Sequence, residues 1–103
     1  MGIKSADATL SPFAFETITV NTAIGFTVAT ITNTRSETAI KAVVTVETAQ
    51  IRYRVDGENP SSTVGHVLDD GDVLVLKGES EILDFRAIKT TDTNGKIQCT
   101  FYE

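Results

Sequence analysis

The chain has 103 residues and a net charge of −5, which is enough for one domain with its own core and too little for two. An apolar fraction of 41% excludes wholesale disorder, and the acidic balance opposes contact with a phosphate backbone, so we expect no nucleic-acid partner. Val, Ile and Thr number 10, 9 and 16. Because side chains branched at Cβ suit a pleated sheet, the composition predicts an all-β domain.

The first residues are small and mostly polar. They predict an extended N-terminal arm over residues 1–12, ahead of a single domain over residues 13–103. The N-terminus lacks the apolar segment of a secretory signal, and no apolar run approaches the ~20 residues that span a bilayer, so we expect no membrane partner. With one cysteine, Cys99, no intrachain disulfide is expected.

The first half of the domain is predicted to be short strands separated by polar turns. The strands are expected at residues 13–20, 26–32, 40–48 and 51–55. The first changes phase, which predicts a β-bulge between Phe15 and Ile18. The third alternates most clearly, with Ile40 expected on the inner face beside Ala42 and Val44.

The second half follows the same pattern after a loop at residues 56–65. Strands are predicted at 66–68, 73–76, 85–90 and 96–102, an acidic turn at 69–72 and one helical turn at 79–83. The continuous apolar run at 73–76 predicts a strand covered on both faces. Asn94 and Gly95 tolerate positive φ and predict a hairpin that pairs the last two strands. The whole predicts a small antiparallel β-sandwich or jelly-roll-like domain.

Few side chains have the chemistry of a catalytic or metal site. His66, the single histidine, is expected to play a structural role where the loop meets a strand. Cys99 is predicted to point into the core, where thiols are inert. The acidic turn lacks the residue spacing of a calcium loop and is expected to be only a turn. We therefore expect no enzyme activity, no bound metal and no cofactor.

From Ala39 onward, the chain resembles small virion proteins of tailed bacteriophages. The motifs that carry this resemblance are Ala42 to Gly57 (AVVTVETAQIRYRVDG), the Pro-Ser loop and Gly-His step of Asn59 to Leu68, Gly71 to Leu76, Phe85 to Ile88 and Ile97 to Tyr102. Residues 1–38 match only loosely. The resemblance implies a structural role, with the major capsid protein or other virion proteins as partners.

The function expected on this basis is capsid decoration: a non-enzymatic protein that is made in the host cytoplasm, found in the virion and binds the capsid as a cement. A homo-oligomer, dimer or trimer, is expected because exposed strand edges need cover. Two alternatives stay open, a head–tail, neck or tail structural protein and, in a different class, a small carbohydrate- or ligand-binding module. A flat apolar patch with ordered arms would favour the virion protein, and a pocket lined by converging aromatic and polar groups would favour the ligand-binding module.

The candidate partner contacts lie in the arm and in the 56–65 loop, since arms and long loops often carry binding. They are Ile3, Leu10, Glu58, Asn59, Pro60 and Ser61. The acidic side chains between residues 56 and 84 are predicted to form one face, which would suit a basic patch on a coat protein or simply point to solvent.

Overall fold

The computed structural model describes residues 10–103, which form two antiparallel β-sheets packed as a small sandwich, as the composition predicts. The elements in chain order are β1 (Pro12–Val20), α1 (Val28–Ile31), β2 (Lys41–Glu47), β3 (Ile51–Arg54), β4 (His66–Leu68), β5 (Val73–Lys77), α2 (Glu79–Asp84), β6 (Arg86–Lys89) and β7 (Gly95–Tyr102). One sheet has the strand order β1-β7-β2-β5, and the other has the order β4-β3-β6.

The core lies between the sheets and is built by alternate residues of the strands. β7 alternates between buried and half-buried positions along its whole length, and Ile97, Cys99 and Phe101 on its inner face are buried as predicted. Phe26 joins the two layers: its ring stacks on Phe85 at 4.6 Å and meets Phe101 edge-on at 4.9 Å. Such aromatic pairs stabilise a core beyond the area that they bury.

The strand predicted at residues 26–32 is wrong, because this segment contains the helical turn α1. The C=O of Thr27 accepts hydrogen bonds from the N–H groups of Thr30 and Ile31. This turn buries both Phe26 and Ile31 and leaves Val28 in solvent. Burial of two large side chains five positions apart outweighs the strand preference of the Val and Thr residues.

The hairpin predicted through Asn94 and Gly95 is also wrong. β6 pairs with β3 in the smaller sheet, whereas β7 lies between β1 and β2 in the larger one. Gly95 is a buried strand residue, and a Cβ placed on it would lie 2.5 Å from Cγ2 of Ile51. The glycine is required by a close approach of the two sheets, a role that glycines in strands often have.

Three smaller expectations need correction. The irregularity in β1 falls between Pro12 and Ala14, before the predicted place. Pairing is regular from Ala14 onward, so Phe15 lies on the outer face together with Thr17 and Thr19. Ile40 precedes β2 and is exposed. The strand at residues 73–76 is predicted to be covered on both faces, but Val73 and Val75 are exposed on the outer face of the larger sheet.

The helical turn predicted at 79–83 is confirmed as α2, and Ile82 anchors it in the core. Of the predicted arm, residues 1–9 lie outside the described residues, while Ser11 exchanges two backbone hydrogen bonds with Glu103 and Pro12 begins β1. None of the helices within residues 10–103 is long and apolar enough to cross a membrane.

Candidate functional site

The outer face of the larger sheet carries two adjacent rows of side chains without a charge. Strand pairing aligns Phe15, Thr100, Val43 and Val75 in one row, and Thr17, Gln98, Thr45 and Val73 in the next. We call these eight residues the uncharged face. Phe15 and Val73 are each 60% exposed, and Val75 is 42% exposed. Val73 and Val75 lie next to the half-buried Val43, whereas Phe15 lies on the opposite edge strand, beyond Thr100. Groups of exposed apolar side chains can mark interaction surfaces.

Charged side chains border the uncharged face at both ends. Lys41 pairs with Lys77 across β2 and β5, and its ammonium lies 5.1 Å from the centre of the Tyr102 ring. At the other end Glu47 pairs with Lys96, and Glu47 also accepts a hydrogen bond from the Gln98 amide at 3.0 Å. A centre without charges, bordered by charged side chains, is the arrangement found at protein–protein interfaces.

The 56–65 loop is held in place by a side chain of the neighbouring strand. The Arg52 guanidinium donates from Nη1 to the carbonyl of Gly65 at 2.7 Å and from Nε to the carbonyl of Ser62 at 3.1 Å. Gly65 has φ +136°, and a Cβ there would lie 3.1 Å from Pro60 and from the carbonyl oxygen of Tyr53. The loop is therefore a packed part of the domain with a fixed shape.

The predicted contact residues of this loop have different environments. Glu58, Asn59 and Ser61 are exposed, whereas Pro60 is buried. The Ser61 hydroxyl accepts hydrogen bonds from the N–H groups of Thr63 and Val64, which is a local turn interaction. Of the arm residues, Leu10 is half-buried, and Ile3 lies outside the described part of the chain.

A groove of about 440 Å³ lies beside this loop. Its lining consists of Asn21, Thr22, Pro60, Ser61, Ser62, Ile88, Lys89, Thr90, Thr91 and Asp92. These side chains provide many hydroxyl groups, but the lining contains no aromatic ring on which a sugar could stack. Ligand pockets usually combine apolar and aromatic walls with a few polar groups, so the groove gives no particular support to the ligand-binding module.

The structure does not bring His66 and Cys99 together. His66 is exposed on β4, where its ring lies 5.3 Å from the Tyr53 ring. Cys99 is buried on the inner face of the other sheet, and burial, with a smaller effect of the Glu16 charge, raises the pKa of its thiol to about 12. A thiol with this pKa stays protonated at neutral pH and is a poor nucleophile.

The acidic residues between 56 and 84 form two groups rather than the predicted single face. Asp69, Asp70 and Asp72 lie in the turn before β5, where Asp72 accepts a hydrogen bond from the N–H of Asp69 at 2.7 Å. The remaining acids lie after β5 or in the loop after β3, and they are Asp56, Glu58, Glu79, Glu81 and Asp84. Within residues 10–103, no group of three or more His, Cys, Asp or Glu side chains is placed to hold a metal ion.

Sequence reasoning missed the uncharged face, although part of the signal was present. The continuous apolar run that contains Val73 and Val75 predicts a strand with both faces covered. The sequence pattern is the same whether the second face is covered by the chain itself or by a partner. The β-bulge predicted between Phe15 and Ile18 would place both residues on the inner face. The alignment of Phe15 and Val75 with Val43 depends on the strand order, which local patterns do not determine.

Comparisons of the chain with protein-family models, with curated proteins and with solved structures find no match.

Proposed function

We propose that the chain is a non-enzymatic structural protein of a tailed-phage virion, and that it decorates the head by binding the major capsid protein. The observation that carries the proposal is the uncharged face. It carries exposed apolar side chains and no charge, and it lies on a four-stranded sheet. These are properties of a surface that contacts another protein.

The resemblance of residues 42–102 to small phage virion proteins supplies the identity of the partner. A decoration protein is present in many copies on one particle, so a modest contact at each site is sufficient when the contacts act together. The sandwich suits this role because its central strands β7 and β2 are hydrogen-bonded on both sides and hold the face in a fixed shape. Such a protein would be made in the host cytoplasm and found in the virion.

The proposal is tested by asking whether the chain sediments with particles. Cells that carry its gene are allowed to produce phage, and the particles are purified on a density gradient and probed for the chain. We expect it in the fraction of DNA-filled heads. If it stays with the soluble proteins at the top of the gradient while the particles are intact, the proposal is wrong.

Two matched variants test the surface. Val75 on the uncharged face and Val67 on the smaller sheet are both 42% exposed, so Val75→Lys and Val67→Lys introduce the same charge at equally exposed positions on different sheets. We expect Val75→Lys to reduce particle association about tenfold or more and Val67→Lys to leave it unchanged. The double variant Glu58→Ala, Asn59→Ala tests the predicted loop contact. If only this variant loses association with particles, the loop makes the contact and the uncharged face does not.

A further inference from the structure

The four edge strands of the sandwich differ in how they are protected. In the smaller sheet, β4 has only three residues, and β6 is covered because Ile24 exchanges two backbone hydrogen bonds of 2.9 Å with Ala87. In the larger sheet, β5 has five residues and ends at Lys77, whose N–H is capped by the Glu81 carboxylate at 2.8 Å. Short length, charge and cover are the usual means of preventing edge-to-edge association.

Within residues 10–103, β1 is neither short nor paired on its outer side, and Pro12 and the irregularity before Ala14 affect only its first residues. It is nine residues long, and its one charged residue, Glu16, turns inward. There the Glu16 carboxylate accepts hydrogen bonds from the N–H and the hydroxyl of Thr27. No other described strand lies on the outer side of β1. Because its outer face carries no charge and no described strand lies beside it, a strand of this length is a template for a further strand.

The hydrogen-bond ladders of the larger sheet show which backbone N–H and C=O groups of β1 point away from β7. Gly78 donates to Ile40, and Val46 donates to Asp72, so even-numbered residues of β2 and β5 bond to each other. Because antiparallel ladders alternate, the odd-numbered residues of β2 bond to even-numbered residues of β7, and the odd-numbered residues of β7 bond to even-numbered residues of β1. The odd-numbered residues of β1 therefore direct their N–H and C=O groups away from β7. The backbone donors and acceptors of Phe15, Thr17 and Thr19 therefore have no backbone partner among residues 10–103 along this edge.

We infer that the β1 edge pairs with β1 of a second copy of this chain, antiparallel and centred on Thr17. This register places Thr17 opposite its own copy and Phe15 opposite Thr19, and it forms about six backbone hydrogen bonds between the copies. It also places Glu16 opposite Ile18, whereas a shift of one position along each strand would set two Glu16 carboxylates against each other. Like charges directly opposite destabilise a strand pair, and Thr–Thr pairs stabilise it.

The charges next to the edge also suit a second copy. Thr19 lies beside Lys96 on the outer face, and in the proposed register the exposed Phe15 ring of the other copy covers Thr19. Each ring then comes within reach of a Lys96 ammonium, a favourable cation–π arrangement. The pairing joins the two uncharged faces into one continuous surface of eight strands. The inference holds whether or not the chain is a virion protein.

Sedimentation of the full chain over a wide concentration series tests the inference. Thr17→Pro removes the central N–H of the free edge without removing a bond to β7, and proline is tolerated at such edge positions. Val75→Pro is the matched control, because the N–H of Val75 also points away from β2, the one strand that pairs with β5 within residues 10–103. We expect a concentration-dependent dimer for the wild type and for Val75→Pro, and a dissociation constant raised about tenfold or more for Thr17→Pro.

A cross-link tests the register and does not depend on the folding of a proline variant. Opposed hydrogen-bonded residues lie about 5.5 Å apart at Cα, within disulfide range, and the native Cys99 is buried. Under mild oxidation, Thr17→Cys is expected to form a disulfide-linked dimer and Thr45→Cys, in the same row on a central strand, is not. Three results would each overturn the inference: a wild type monomeric at every concentration, equal cross-linking of both variants, or a dimer that forms only after deletion of residues 2–9, which would make the chain's own arm the occupant of the edge.

Discussion

Replacing Gly95 with alanine tests the packing of the two sheets. The added Cβ would lie 2.5 Å from Cγ2 of Ile51 and 3.2 Å from the carbonyl oxygen of Ala49. Real Cβ contacts are much longer, so β7 and β3 must separate by about 1 Å or Ile51 must leave its rotamer, and overpacking of this kind costs about 1–3 kcal/mol. The φ of Gly95 is not in the positive region, so alanine suits the backbone and the cost comes from the clash.

The expected loss of about 2 kcal/mol corresponds to a fall in Tm of roughly 10 °C for a domain of this size. Urea unfolding followed by far-UV circular dichroism measures it. Ile51→Ala is destabilising by itself, by about 2–5 kcal/mol, but it removes the clashing methyl group. In the double variant we expect the Gly95→Ala penalty to shrink by about 1 kcal/mol or more. A neutral Gly95→Ala variant, or strictly additive losses, would refute the close-approach explanation.

Three further predictions follow from single side chains. The pKa of the Cys99 thiol is raised from 9.0 to about 12 in the fold, so on raising the pH the unfolded chain loses its thiol proton before the folded chain does. The free energy of unfolding therefore keeps its full contribution from the thiol below about pH 9, and it falls by up to about 1.4 kcal/mol per pH unit towards pH 12. Cys99→Ala should lack this decline when unfolding is measured against pH. Arg52→Ala should cost about 1.5–3 kcal/mol and expose the 56–65 loop to proteolysis. Arg54→Ala, which breaks an ion pair with the exposed Asp56, should destabilise the protein much less, because exposed ion pairs contribute little; equal effects would contradict the role of Arg52. Thr48 has φ +80°, so Thr48→Gly should stabilise the protein by about 0.5–1 kcal/mol in thermal unfolding, and a loss of stability would show that the strain is absent.

Local patterns predicted much of the fold because their causes are local. Alternation in β2 and β7 reflects one buried face, so the inner positions of Val44, Ile97 and Cys99 could be predicted without knowledge of the neighbouring strands. The helical turn of α2 follows a glycine and contains one apolar anchor, Ile82, which a short window also detects.

The errors arose where a residue's role depends on a distant part of the chain. Gly95 has the sequence signature of a turn, yet the need for a glycine there comes from the close approach of Ile51, 44 positions earlier. α1 forms because Phe26 must reach Phe85 and Phe101, which no window around residue 28 contains. For the same reason the uncharged face, which combines residues from four strands, could not be predicted before the strand order was known.

Cryo-electron microscopy of purified particles tests the central claim most directly, because it locates the chain and the surface that it uses in one measurement. We expect density for the sandwich on the outside of the head, with the sheet of β1, β7, β2 and β5 turned towards the coat protein and Phe15, Val73 and Val75 in the contact. Density at the neck or tail would retain a structural role but contradict capsid decoration. Particles without any density for the chain, or with the uncharged face turned to solvent, would contradict the account.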